Sequence, residues 1–520
     1  MKRPAVIAAA CLMTLTVLGQ SLIPNGTLRR ILDKDRDGNL SEREIADAPK
    51  TLRALDSNGD KSVSANELGV TSTEPERPRR QEGYRMPTQL FRTEVPETDI
   101  NVILGAPTDH SIIFSLQSRM ATGVQIKLGH QPDLLSKRLF ASLKPKEAKE
   151  ITLEELEPDT RYHYDIEAID GEFETLSGTF HTARSHSSRF HFTIQADSHL
   201  DFGTVPELYE RTLQNVVESE SDFHIALGDT FMVDKRTRYQ DAAPQYNAQR
   251  YYFSRLATST PLFFVLGNHD GEFGYRPEMA AWSASLRTLL LPNPTADHFY
   301  SGSQDELKGI GRLENYYGWE WGNALFLCLD PFRHTKERRG SQWTKTLGKQ
   351  QYDWLRRSLR ESDAAFKFIF IHYLVGGLNN ETRGGASIAH LHEWGGHNPK
   401  GDFEWNTMRP GWEKPIHDLL RENGPVIVFH GHDHLYAMEE KDGVIYQAVP
   451  QPAHQRFGNT RTATEYGYGN AVVRGSSGHI EVEVDSERTT VRYRHAFLPG
   501  QEQGGSQNGS ISHQYSIDAR

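Results

Sequence analysis

Between residues 190 and 430, five apolar runs each stop at a short polar cluster, and no other feature of the chain constrains its fold as strongly. The runs are Phe190–Ala196, Phe223–Leu227, Leu262–Leu266, Phe366–Ile371 and Val426–Phe429. Their continuous apolar character reads as strands buried on both faces. Helical patterns lie between them, at Leu208–Ser219, Gln350–Leu359 and Lys414–Glu422. Strand and helix alternating in this way predict an α/β layered domain, in which sites form at the strand ends.

The clusters at those ends are Asp197-Ser-His199, Gly228-Asp229, Gly267-Asn-His-Asp270, His372 and Gly431-His-Asp-His434. Histidine with aspartate points to a metal. Two divalent ions about 3.5–4 Å apart need a bridging carboxylate and mixed nitrogen and oxygen ligands. Asp229, following the second run, is placed to bridge. The single residue inside Asp-x-His and His-x-His puts both side chains on one face of an extended segment.

In order and context these clusters resemble those of the calcineurin-like metallophosphoesterases, over roughly residues 188–440. The resemblance implies an α/β fold of four layers around a β-sandwich. It assigns Asp197, His199 and His434 with Asp229 to one metal, and Asn268, His372 and His432 to the other. It implies attack of a metal-bound hydroxide on a phosphate ester, with His269 as general acid and Asp270 orienting it. Fe, Mn and Zn suit such ligands. Purple acid phosphatases carry glycine and an iron-binding tyrosine where this chain has His199 and Met232, so a colourless centre is expected.

Charge agrees with a metal-dependent anion site. The chain carries 69 acidic against 58 Lys and Arg residues, net -11, so a stable nucleic-acid partner is not expected. Two metal ions with Asp197 and Asp229 leave the centre at about +2, enough to hold a small-molecule phosphate ester. Whether that ester is a monoester, a diester or a nucleotide is open. A nucleotide would want an aromatic clamp, for which Tyr373, Trp394 and Trp405 are candidates. Arg236 and Arg238 are candidates either for phosphate oxygens or for the surface. The loop 375–412, with three histidines, is either a specificity element or a solvated excursion. The reading from another class is an inactive, calcium-dependent extracellular binding protein; complete metal ligands argue for the enzyme.

The rest of the chain divides by composition. Residues 1–20 have a basic start and an apolar stretch of signal-peptide length, predicting a secreted or periplasmic protein. No second stretch is long enough to span a bilayer. Residues 27–70 hold two similar loops. In the first, Asp33, Asp35, Asp37, Asn39 and Glu44 supply oxygens at the spacing a calcium ion requires, with Gly38 for the sharp turn. In the second, Asp56, Asn58, Asp60, Ser62 and Glu67 take these places, but Lys61 stands where glycine belongs. Both resemble EF-hands and imply bound calcium. Residues 71–86 read as a linker. Residues 87–184 alternate in short runs between turns, a small β-sandwich; Leu156–Ile166 and Gly178–Thr182 resemble a fibronectin type III module and the β domain ahead of purple acid phosphatases. The catalytic domain is expected over 188–498, and the Gly-, Gln- and Ser-rich tail 499–520 is expected to be flexible.

Overall fold

A computed structural model describes residues 32, 34, 41–56, 63 and 91–519, apart from 172, 339, 379–381, 456–459 and 503–505. The chain divides into two compact units, Met1–Tyr84 and Arg85–Arg520. In the first, the described element is the helix Glu42–Arg53. Ser41 caps it: the Glu44 amide donates to Ser41 Oγ, and Glu44 Oε2 accepts from the Ser41 amide at 2.9 Å. Glu44 Oε1 also accepts from the Lys34 amide at 2.6 Å. Acidic residues start this helix and basic ones end it, complementing its dipole. Of the expected calcium ligands, Glu44 and Asp56 are described; Asp33, Asp35, Asp37, Asn39, Asn58, Asp60, Ser62 and Glu67 lie outside the described residues, as do residues 1–20 and 71–86.

The second unit begins with seven strands: β1 (Ile100–Gly105), β2 (Ile112–Ser118), β3 (Thr122–Gly129), β4 (Lys137–Leu143), β5 (Ala148–Leu153), β6 (Arg161–Ala168) and β7 (Leu176–His181). β4-β3-β6-β7 form one antiparallel sheet; β1, β2 and β5 pair in another. Alternate residues of both, among them Phe114, Leu116, Val124, Ile126, Tyr164 and Phe180, share one core.

β8 (Phe190–Gln195), β9 (Phe223–Ala226) and β10 (Leu262–Phe264) follow as parallel neighbours. The helices Pro206–Glu218 and Ala243–Ala257 make the crossovers between them. Short strands β11 (Ser301–Gly302), β12 (Glu306–Leu307) and β13 (Gly311–Arg312) lead into β14 (Tyr317–Trp321), β15 (Ala324–Cys328), β16 (Phe366–Phe370) and β17 (Val426–His430). The chain ends with β18 (Tyr436–Lys441), β19 (Val444–Ala448), β20 (Val472–Arg474), β21 (Gly478–Val484), β22 (Arg488–His495) and β23 (Ile511–Asp518).

These strands make two large mixed sheets, ordered β23-β22-β21-β8-β9-β10-β1-β2-β5 and β11-β14-β15-β16-β17-β19-β18-β20. They face one another across a core rich in aromatic rings. Phe192 of the first sheet lies 5.2 Å from Phe326 and 5.3 Å from Phe368 of the second. Full burial of one such side chain stabilises the fold by about 1.5–3 kcal/mol. The helices Pro206–Glu218, Ala243–Ala257 and Pro277–Leu290 cover the outer face of the first sheet. Lys349–Glu361 and Ile416–Glu422 cover the second, the former burying Tyr352, Leu355 and Leu359 on one helical stripe.

Two expectations change. β1 pairs in parallel with β10 at Gly105 and Leu262, so the division expected near residue 185 separates two cores but not two sheets. Arg250 reinforces the junction, donating to Asn101 Oδ1 at 2.7 Å and to the Ser115 carbonyl at 2.8 Å. The tail expected to be flexible contains β23, antiparallel to β22. Its Gly- and Gln-rich composition ends before residue 511, and the alternation that follows lets Tyr515 and Ile517 pack on the inter-sheet core. Among the described residues no helix is long and apolar enough to cross a membrane.

Candidate metal centre

Asp197, Asp229, Asn268, His372, His432 and His434 all follow the C-terminal ends of parallel strands of the two facing sheets. Six of the seven expected ligands form two clusters, Asp197–His199–His434 and Asp229–His372–His432; within each, the ligating atoms lie within 4.8 Å of one another. His372 Nε2 is 3.2 Å from Asp229 Oδ2 and 3.8 Å from Asp197 Oδ1. His199 Nε2 is 3.8 Å from Asp229 Oδ2, so Asp229 faces residues of both clusters. Asp197 Oδ1, His199 Nε2, Asp229 Oδ2, Asn268 Oδ1 and His372 Nε2 are all buried without a hydrogen-bond partner. Burial of one unpaired polar atom costs about 1–3 kcal/mol, and four of these, Asp197 Oδ1, His199 Nε2, Asp229 Oδ2 and His372 Nε2, lie within 3.2–3.8 Å of one another in linked pairs, which fits a bound cation.

The backbone is shaped for this convergence. Asp197, His199, Asp229, His432 and His434 all have left-handed φ, between 46° and 72°. Such conformations cost about 1–3 kcal/mol each and persist where surrounding structure imposes them. Asp197 Oδ2 accepts from the His432 amide at 2.9 Å, tying the first strand end to the last. His372 Nδ1 donates to the Leu227 carbonyl at 2.9 Å, which fixes the ring's tautomer and leaves Nε2 to face the centre.

The glycines of the clusters answer to space. A Cβ on Gly267 would overlap the Asp229 amide and stand 2.5 Å from Asp229 Oδ1. Gly267→Ala is therefore expected to cost about 1–3 kcal/mol and to displace the Asp229 carboxylate. Thermal melting and metal content check this; a variant that melts with the wild type and keeps its metal would contradict it.

Charge is balanced internally. Burial pushes the Asp197 carboxyl up, but His434, His199 and His372 outweigh it and hold the group well below the usual range. Asp229 is held low in the same way, chiefly by His269 and His372. Burial disfavours charge on His372, yet Asp229 and Asp197 raise it to about 9. Among the histidines, His199 and His372 are raised by the neighbouring carboxylates, whereas burial pushes His434 down to about 4.

His269 lies at the rim of the centre. Its amide donates to Asp229 Oδ1 at 2.7 Å, and its Nε2 is 3.8 Å from Asp229 Oδ2. The partner of its ring is Asp234, with Oδ1 2.7 Å from Nδ1. This corrects the expectation for Asp270. The Asp270 carboxylate instead accepts from four backbone amides: Gly267 at 2.7 Å, Thr230 and Phe231 at 2.8 Å, and Asp229 at 3.1 Å. It clamps the turns after β9 and β10 together. Burial and neighbouring Asp229 push its carboxyl up to about 7, against amide donors that favour the charged form.

Two acidic residues escaped the sequence reading, Asp234 and Asp201, the latter 3.5 Å from His199 Nδ1. The signal for Asp201 was its place two residues beyond His199; for Asp234 there was none. Several open alternatives close. Arg236 is buried, donates to Gln245 Oε1 at 2.5 Å and stacks 3.5 Å over Phe91; Gln245 in turn holds the His199 and Thr230 carbonyls. Arg238 is exposed and paired with Asp241. Trp394, Trp405 and Tyr373 are all buried core residues, and the Tyr373 ring stands 5.4 Å from the His432 ring. In the 375–412 loop, His392 and His397 bond the carbonyls of Gly376 and Gly395, which gives those rings a folding role.

Residues 190–436 match the family model described as Calcineurin-like phosphoesterase. This segment is a metal-dependent phosphoesterase domain, and its two clusters fit a dinuclear transition-metal site. The chain is similar in structure to PhoD, at 13% identity and TM-score 0.58, over 82% of this chain and 92% of that one. It is similar as well to the purple acid phosphatase PPD1 from seeds of yellow lupin (Lupinus luteus), at 14% identity and TM-score 0.52, over 80% and 74%. At these identities the likeness is one of fold. No curated protein gives a significant match to the chain.

Proposed function

We propose that the chain is an exported enzyme that hydrolyses small phosphate esters at a two-metal centre. The convergence of four unpaired buried ligand atoms, Asp197 Oδ1, His199 Nε2, Asp229 Oδ2 and His372 Nε2, on one space carries this reading. Asp197, His199 and His434 would hold one ion, Asn268, His372 and His432 the other, with Asp229 between them. The nitrogen and oxygen donors suit Fe, Mn or Zn. Bound ions supply Lewis acidity for the phosphoryl oxygens and an acidified water. The chain's residues do the rest. Asp234 accepts from His269 Nδ1, which fixes the ring so that Nε2 faces the centre. From there His269 hands a proton to the leaving oxygen.

Further parts of the proposal rest on other segments. The basic and apolar residues 1–20 support export. The packing of β1, β2 and β5, at the end of the nine-stranded sheet, with the four-stranded sheet around one core supports a fibronectin III-like module over 87–184. The oxygen-bearing loops at Asp33 and Asp56 support calcium binding.

The test is turnover of phenyl phosphate and bis(p-nitrophenyl) phosphate with metal content measured alongside. We expect about two transition-metal ions per chain, hydrolysis of at least one ester, and a loss of about 100-fold or more on chelation that added metal reverses. A fully loaded protein that turns over neither ester would overturn the proposal.

A further inference from the structure

The side of the centre on which His269 stands carries a group of cations that the hydrolytic reading does not use. Asp234 holds His269 Nδ1 with one oxygen; its other oxygen lies 3.9 Å from Arg338 Nη1. Lys235 and Arg338 both act on the Asp234 charge. The charges of Arg276, Arg338 and Asp234 all reach the Tyr275 hydroxyl, and the Arg276 guanidinium lies 6.0 Å over its ring. A row of rings joins Tyr275 to the metal ligands. Phe273 lies 4.8 Å from Tyr275, Phe332 5.7 Å from Phe273, Tyr373 5.1 Å from Phe332, and His432 5.4 Å from Tyr373.

Lys235, Arg276 and Arg338 each act on Asp234 or Tyr275, and His269 already engages the Asp234 carboxylate. Arg338 is half exposed, with 50% of its side chain open, and a net charge of -11 gives no bulk reason for such a grouping of cations. The two metal positions face the transferred phosphoryl group. Cations beyond the proton donor therefore face the part of the substrate that leaves.

We propose that Lys235, Tyr275, Arg276 and Arg338 form a subsite for a leaving group that itself bears a negative charge, a carboxylate or a second phosphate. The inference rests on the phosphoesterase reading. In the reaction, water adds across the P–O bond: its oxygen ends on phosphorus, and the leaving oxygen gains the proton from His269. The anionic substituent keeps its charge throughout, so its ion pairs with Arg276 and Arg338 act in both ground and transition states and appear mainly in KM.

A matched series tests this: phenyl phosphate, 4-carboxyphenyl phosphate and 1,4-phenylene bisphosphate. The wild type is expected to favour both charged substrates. Arg338→Ala and Arg276→Glu should each lower kcat/KM for them about tenfold more than for phenyl phosphate, through KM, with Arg338→Lys restoring part of the difference. Calorimetric titration with benzene-1,4-dicarboxylate reads the subsite without turnover and should weaken in the same variants. A preference for one charged substrate alone would distinguish carboxylate from phosphate as the bound group. Equal losses on all three substrates, with unchanged dicarboxylate binding, would overturn the subsite. Absence of phenyl phosphate turnover in the loaded wild type would instead overturn the phosphoesterase reading.

Discussion

Asp229→Asn is expected to lower kcat/KM for phenyl phosphate by at least about 10⁴-fold and to leave less than one transition-metal ion per chain. The argument is one of donors and acceptors. Asp229 Oδ1 accepts from the His269 amide at 2.7 Å, while Oδ2 faces the Nε2 atoms of His199, His269 and His372 at 3.2–3.8 Å. An asparagine of the same volume keeps its oxygen on the amide, because turning its NH₂ there would oppose two donors. The NH₂ then points into the centre, where two cations belong. Metal analysis and steady-state kinetics read the outcome. A variant that holds two ions and keeps more than a tenth of the rate would show that Asp229 does not bridge.

His269→Asn is expected to lower kcat by about 10²–10⁴-fold while metal content stays at the wild-type level, since no assigned ligand is removed. The loss should be greatest for alkyl phosphates, whose leaving oxygen needs the proton, and smaller for p-nitrophenyl phosphate. Asp234→Asn should lose about 10–100-fold with the same dependence on leaving group, because an amide in place of the carboxylate no longer fixes the ring's tautomer or stabilises its charge. If the loss in either variant were the same for good and poor leaving groups, His269 would not be the proton donor.

Much of the centre was legible because its residues sit where apolar runs stop, and strand ends show in a sequence. Asp197, His199 and Asp229 lie within four residues of the ends of β8 and β9. Asp234 was hidden because the turn that carries it to His269 depends on Met232, whose left-handed φ of 49° no residue type announces. Asp270 misled for a related reason: adjacency to His269 in sequence suggested a shared role, yet its carboxylate faces the amides of another turn. The α/β layering followed from apolar runs alternating with helical patterns, and its four layers from the family resemblance. The junction of β1 with β10 did not, since a single parallel register between strands 157 residues apart leaves no local trace.

That junction bears on self-association. β10 is three residues long and lies inside a sheet of nine strands. A chain begun after residue 185 would present its unpaired amides and carbonyls to solvent, beside the buried rings of Phe263 and Phe264. Such an open edge recruits strands from other molecules. The N-terminal strands thus act as a cover against self-association, so a shortened enzyme would be expected to retain every metal ligand and still aggregate.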